Sequence, residues 1–338
     1  MLTGPVVWPP SARAEVGRPV QPVEIACDES GSEGEKLIGG NTDVFCHASV
    51  LLSEDEAADC VRVLREMIRS PAVHYKSGHL LREKNRRALE WFLGPDGPVL
   101  HRSNAFLVDK TQLLLLAFAG RLARTEPFAA DPAAHAAVAA ALYRAAPRWG
   151  GFLGLLNDLM RFGPVGETAS TEALAGLVRA LLPAEPDGPA RDVLALLDRH
   201  RAALDVLVRT AVRPDPTLPL AMDPLIPAIL RSADRWGADD PVSIVHDRHV
   251  TQTEARVAEI LALRRDRLLR LRLVPAGADT RIQVADYLAG VVRKLASDEL
   301  AGAADPALTA LLRGLADPLS IWGEEGSRGR IFRTPERT

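Results

Sequence analysis

One short stretch constrains this chain more than any other. Val23–Gly31 reads V-E-I-A-C-D-E-S-G. Apolar and β-branched residues lead to two adjacent acids, and a Ser-Gly turn ends the run, which is the pattern of a strand delivering carboxylates to its tip. Successive strand side chains point to opposite faces, so a regular strand cannot aim Asp28 and Glu29 into one site. The reading adopted is that Asp28 faces a metal site while Glu29 borders it or caps the turn. The plainer alternative is an acidic turn closing a buried strand.

Strand and helix patterns then alternate along the chain. Gly31–Asp43 is a polar connection with four glycines. It has no G-K-[ST] and opens no helix, so it is not a phosphate-cradling P-loop. Val44–Leu52 reads as a second strand. Ser53 and Glu56 form a capping box for a helix with Ala57, Cys60, Val61, Leu64, Met67 and Ile68 on one stripe. Val73–Leu81 reads as a short strand or edge, followed by a basic helix over Arg82–Phe92, and Asn104–Val108 as another strand. From Thr111 to about Trp236 apolar stripes at helical spacing predominate, with Pro183–Pro189 and Pro214–Pro219 as linkers. Pro189 opens one of these helices, and Asp223-Pro224 opens the last. Strand grammar returns at Pro241–Val245 and ends in His246-Asp247-Arg248-His249. Thr251 and Glu254 suggest a capping box, Leu269, Leu271 and Leu273 alternate with Arg270 and Arg272, and Arg281–Leu295 is helical. On that helix Asp286 lies only about 40° around the wheel from Ile282, with Gly290 one turn further on the same side. A carboxylate at the core margin, screened by nothing bulky, asks for a functional reason.

At 338 residues, with 47% apolar and 25% charged side chains, the chain suits a soluble globular protein of about two domains. A net charge of −3 makes bulk attraction to polyanions implausible, so contact with nucleic acid has to come from a local patch. The basic run around Lys76, Arg82, Lys84, Arg86 and Arg87, together with Arg270 and Arg272, supplies such patches if they share a face. Three cysteines, Cys27, Cys46 and Cys60, lie in apolar runs without C-x-x-C spacing. That pattern fits core packing in a reducing compartment, so the cytoplasm is expected. No apolar run is long enough to span a membrane, and residues 1–22 read as a flexible tail without a signal-peptide pattern.

Three acids stand out by position: Asp28 and Asp247 at strand ends, and Asp286 on a helix flank. Carboxylates gathered in this way form a hard oxygen site suited to Mg²⁺ or Mn²⁺. Two such ions support hydrolysis of a phosphodiester, with Lys76 or nearby arginines facing the phosphate.

At these residues the chain resembles a known family. D-E-S-G at Asp28–Gly31, K-S-x-x-L at Lys76–Leu80, a strand ending in His246-Asp247, and I-Q-V-A-D-Y-L-A-G at Ile282–Gly290 occur in the order of the domain-of-unknown-function 3800 family. The last motif is the most specific. The resemblance implies an RNase-H-like α/β fold, a mixed sheet flanked by helices, with a divalent-metal nuclease site. Segments 23–118 and 239–320 would form the two parts of the core, 119–238 a helical insertion, and 321–338 a C-terminal tail. Carried over by position, the resemblance implicates Asp28, Asp247 and Asp286 as metal ligands, Glu29 beside them, Lys76 near substrate, and Asp279 at the same mouth. His74 stands where the family usually has a glutamate, so the chain either recruits His74 or Glu29 to complete the site, with His74 also near substrate, or binds metal weakly.

The expected function is therefore a Mg²⁺- or Mn²⁺-dependent nuclease acting on RNA or DNA. The alternative is an inactive RNase-H-like scaffold binding nucleic acid or a protein partner through the helical insertion. A phosphohydrolase acting on nucleotides is a third reading. A zinc or iron site built from His246, His249, His74 and His79 lacks the H-E-x-x-H spacing. Ser30 lacks a nucleophile elbow, and Cys27 is expected to be core.

Overall fold

A computed structural model describes residues 23–69, 76–123, 132–161, 170–200, 204, 222–238, 240–248 and 253–332. His74 and His249, and so their expected roles, lie outside the described residues. Residues 23–32, 44–108 and 225–332 belong to one compact unit, built on a sheet, and 33–43 with 109–224 belong to another, built of helices.

The sheet unit holds five strands in the order β3-β2-β1-β4-β5. They are β1 (Val23–Ser30), β2 (Val44–Val50), β3 (Ser103–Asp109), β4 (Val242–Asp247) and β5 (Leu268–Val274). β1 runs antiparallel to β2 and parallel to β4, and β4 runs parallel to β5. The sheet is thus mixed, and β1 is its centre. Buried on both faces, β2 and β3 read as nearly continuous apolar runs rather than alternating ones.

The helices α1 (Glu54–Ile68), α2 (Ser77–Leu80) and α3 (Arg86–Leu93) follow β2. Ser53 caps α1 with Glu56 reaching back, as the sequence predicts. Part of the expected strand or edge at Val73–Leu81 is instead α2, which starts where Lys76 leaves the chain extended and the His79 amide bonds to the Lys76 carbonyl. The basic helix is also shorter than expected. Residues 83–85 make a 3₁₀ turn, and Arg86 is tied to Glu90 and Asp305 rather than facing solvent freely.

In the helical unit Asp109 caps α4 (Lys110–Leu122), which is followed by α5 (Pro132–Ala145), α6 (Phe152–Met160), α7 (Thr171–Leu181) and α8 (Pro189–Arg199). The glycine-rich stretch belongs to this unit, and its hydrogen bonds show why. Asn157 accepts from the amides of Leu37 and Ile38 at 3.0 Å each and donates to the Glu35 carbonyl at 2.9 Å. Lys110, 1% exposed along its side chain, donates to Glu33 at 2.6 Å and to Thr42 at 3.1 Å. A buried ammonium needs this pairing.

Back in the sheet unit, α9 (Leu225–Trp236) buries Leu225, Ala228, Ile229, Ser232 and Ala233. Trp236 donates to Ser49 of β2 at 2.8 Å. The sequence reading placed this helix with the insertion, so the boundary moves to 224. The helix after β4 is α10 (Glu254–Leu263), capped by Thr253 rather than Thr251. In β5 the expected alternation breaks at Leu269. The register passes from Val242↔Leu268 to Ser243↔Arg270, so Leu269 is an extra residue that bulges out, 51% exposed. The long α11 (Thr280–Leu300) packs across β1 and β2 and against α1 and α2, and α12 (Pro306–Leu312) and α13 (Glu325–Ile331) close the unit. Among the described residues no helix is long and apolar enough to cross a membrane, and all three cysteines are buried and free.

Candidate functional site

Strand register decides which acids meet. Cys27 of β1 lies level with His246 of β4, so the next residues, Asp28 and Asp247, lie level on adjacent parallel strands and share a face. Helix α11 covers that face and brings Asp286 to it. The crowding is electrostatic as well as geometric. Burial first, then Glu29, Asp286 and Asp247, lift the Asp28 carboxyl from its ordinary value to about 9, against one backbone hydrogen bond from Glu29 that lowers it. Asp286 is also raised, by burial and Asp247, and is partly relieved by Lys76. The Lys76 ammonium stands 3.6 Å from Asp286 on a side chain 74% exposed, reaching over the acids from the surface.

Close approach of α11 depends on Gly290. A Cβ there would stand 2.1 Å from Ser77 Oγ, 2.4 Å from Ser77 Cβ and 3.9 Å from Ser30 Oγ. Arg293, one turn on, donates to Ser30 Oγ at 3.0 Å, and Gly31 adopts φ +82° as the chain turns away. Gly290→Ala is expected to cost about 1–3 kcal/mol through overpacking, read as a lower urea midpoint. An unchanged midpoint would show that Ser77 yields freely.

The structure brings Asp28, Asp247 and Asp286 within electrostatic reach of one another, with Lys76 beside Asp286. Glu29 it turns to the other face of the sheet, level with His47 of β2. Its carboxylate stands 3.5 Å from His246 Nε2 there, so it does not complete the acid cluster. Asp279 is displaced too. It caps α11 and grips Arg281 at 2.6 Å, while Arg281 also holds Glu24, four residues before Asp28 on β1. That is the far end of the strand, away from the acids. Arg272 joins the same group through Glu24 at 3.4 Å.

Sequence reasoning missed His47 altogether. It sits in β2 among apolar neighbours and is fully buried, and burial with nearby His246 holds its pKa well below the ordinary value. The one available signal was a histidine within the otherwise nearly continuous apolar run V-F-C-H-A-S-V. Its partners become visible only once the strands are paired.

The acids are oxygen donors of the kind a hard divalent cation takes. Asp28, 6% exposed, is crowded on its own face by Asp247 and Asp286, a place of surplus negative charge. Among the described residues no three His, Cys, Asp or Glu side chains form a group that could hold a metal ion. The fold and site define an α/β protein with a five-stranded mixed sheet flanked by helices and an acidic cluster at the ends of its central strands. Comparison with known protein families, with curated proteins and with solved structures returns no match to this chain.

Proposed function

We propose that the protein is a Mg²⁺- or Mn²⁺-dependent nuclease with an RNase-H-like core, in which Asp28, Asp247 and Asp286 hold the metal. The observation that carries this reading is the convergence of those carboxylates on one face, with Asp28 forced to keep its proton unless a cation arrives. The mixed, helix-flanked sheet also agrees with what the resemblance implies.

When bound, such ions activate water and neutralise the charge developing on a phosphodiester. Everything else falls to the chain itself. A cation held there would need the Asp28 carboxyl ionised, so its affinity would rise with pH. Lys76, exposed and already within reach of Asp286, turns to a substrate phosphate and holds it over the acids. Arg293 and Ser30 fix the turn after β1 and with it the aim of Asp28. The substrate is RNA or DNA, and the compartment is the reducing cytoplasm.

The test is a Mn²⁺-supplemented cleavage assay of wild type against Asp28→Asn and Asp286→Asn, on single- and double-stranded RNA and DNA. Cleavage by the wild type alone supports the reading, and equal cleavage by all three removes it. His74 in place of the family glutamate favours the other reading, a scaffold that binds nucleic acid or a protein partner without cutting. Metal-independent binding with no cleavage under any condition would establish that one.

A further inference from the structure

On the sheet face opposite the acids two fully buried histidines meet. His47 Nε2 of β2 and His246 Nε2 of β4 stand 3.1 Å apart across β1. Their other nitrogens are engaged as well, His47 Nδ1 with Ser232 Oγ of α9 at 3.2 Å and His246 Nδ1 with the Asp247 carbonyl at 2.8 Å. These contacts tie a helix and two strands to the tip of β4.

The strand pairing explains the last of them. The Arg248 amide donates to Val274 of β5 at 2.9 Å, so the Asp247 carbonyl, on the other side of the same trans peptide, faces β1. There the β1–β4 ladder has ended, its last pair being Cys27 and His246. A carbonyl left without a strand partner needs another donor, and the His246 ring supplies it. Since a carbonyl only accepts, His246 Nδ1 carries a hydrogen, and Nε2 of the neutral ring is an acceptor. It takes a hydrogen from His47 Nε2, which leaves His47 Nδ1 to accept from the Ser232 hydroxyl. The chain then runs in one direction, from Ser232 through both rings to the Asp247 carbonyl, and every group in it is satisfied.

The peptide between Asp247 and Arg248 carries that order through to the acid face. Its N–H donates to Asp247 Oδ1 at 2.8 Å as well as to Val274. One peptide plane is thus held at its oxygen by His246 and holds the Asp247 carboxylate at its nitrogen. We propose that Ser232, His47 and His246 are positioning residues that set the aim of Asp247 through this peptide. The proposal deepens the nuclease reading, and rests on it for what the aimed carboxylate does. Hydrogen bonds behind a functional carboxylate orient it in this way in other proteins.

Two measurements on metal-free, full-length protein test the device without any cleavage. Nitrogen NMR of histidine-labelled wild type is expected to show His246 protonated at Nδ1, His47 protonated at Nε2, and a scalar coupling between the two Nε2 atoms. The Arg248 amide is expected to exchange about 10-fold faster in Ser232→Ala and His47→Phe, the size of one net hydrogen bond. It should return toward wild type in His47→Gln, whose amide nitrogen can donate from the place of Nε2. In the Mn²⁺ cleavage assay the metal needed for half-maximal rate should rise about 10–100-fold in Ser232→Ala and His47→Phe, with recovery in His47→Gln. A lower urea midpoint with an unchanged Mn²⁺ requirement would overturn the proposal. So would a hydrogen on His246 Nε2 turned to the Glu29 carboxylate 3.5 Å away, a missing coupling, or unchanged Arg248 exchange. Should His47→Phe fail to fold, Ser232→Ala and the wild-type spectrum decide. Wild type that cuts nothing removes the nuclease reading, while the spectrum and the exchange rates judge the aim of Asp247 separately.

Discussion

Asp28→Asn is expected to stabilise the metal-free protein at pH 8 while removing Mn²⁺-dependent cleavage. Burial and the neighbouring acids raise the folded-state pKa of Asp28 from 3.8 to about 9. Unfolded, the group titrates near its ordinary value. Between the two the folded chain holds a proton that the unfolded chain has released, so stability falls as pH rises. The contribution is fully present below about pH 4 and is lost as pH climbs through 9. Each unit of displacement is worth about 1.4 kcal/mol, or about 3–6 °C for a large domain. Asparagine is neutral throughout and removes the slope. Melting curves in EDTA from pH 5 to pH 9 should fall for wild type and stay flatter for the variant, and parallel curves would show that Asp28 is not crowded. Added Mn²⁺ should raise the melting temperature of wild type, because an ion bound only by the folded state stabilises it, and should do little for the variant. Cleavage should drop about 100-fold or more. Gain of stability with loss of activity separates a functional carboxylate from a structural one.

Asp317→Ala is expected to be the most damaging single change to the sheet unit. The Asp317 side chain is wholly buried. It accepts from Asn104 Nδ2 at 2.9 Å, from Arg231 Nε at 2.9 Å and from the Leu319 amide at 2.8 Å. Its backbone runs along the outer edge of β3, donating to the Ala105 carbonyl at 2.8 Å, where Ala105 bridges to Ala316 and Val108 to Ile321. That contact covers the edge strand. Removing the carboxylate strands the Arg231 guanidinium, only 16% exposed, and leaves buried donors unmet. Breaking such a pair costs about 3–5 kcal/mol, measurable by urea unfolding. Arg231→Met together with Asp317→Leu should cost less than the two single changes summed, since neither variant group then needs a partner. A loss below about 1 kcal/mol for Asp317→Ala would show that water replaces the carboxylate.

Much of the acid site was legible in the sequence because its residues violate local expectations. Asp286 sits at the apolar margin of an otherwise ordinary helix, and Asp28 and Asp247 end strands rich in β-branched residues. Each is a local anomaly that periodicity exposes. The Ser53 capping box was legible for the same reason, as its signal spans only four residues. Asp279 misled because its place at the mouth was carried over by position from the resemblance, and here that position caps the helix instead. Seven helical residues carry the chain about 10 Å, enough to put Asp279 well away from Asp286.

By itself the sequence determined which segments are strands and helices over most of the chain, and which carboxylates are out of place. It determined too that Asp28 and Glu29 part company, since alternation is a property of any strand. Tertiary structure alone decided what each of them meets. Strand order and register are set by pairing between segments more than two hundred residues apart in sequence, as when Cys27 falls level with His246, and no local pattern encodes that alignment. The pairing that sets Asp28 beside Asp247 under Asp286 also turns Glu29 toward His47 and His246, giving one sheet an oxygen-rich face and a nitrogen-rich one.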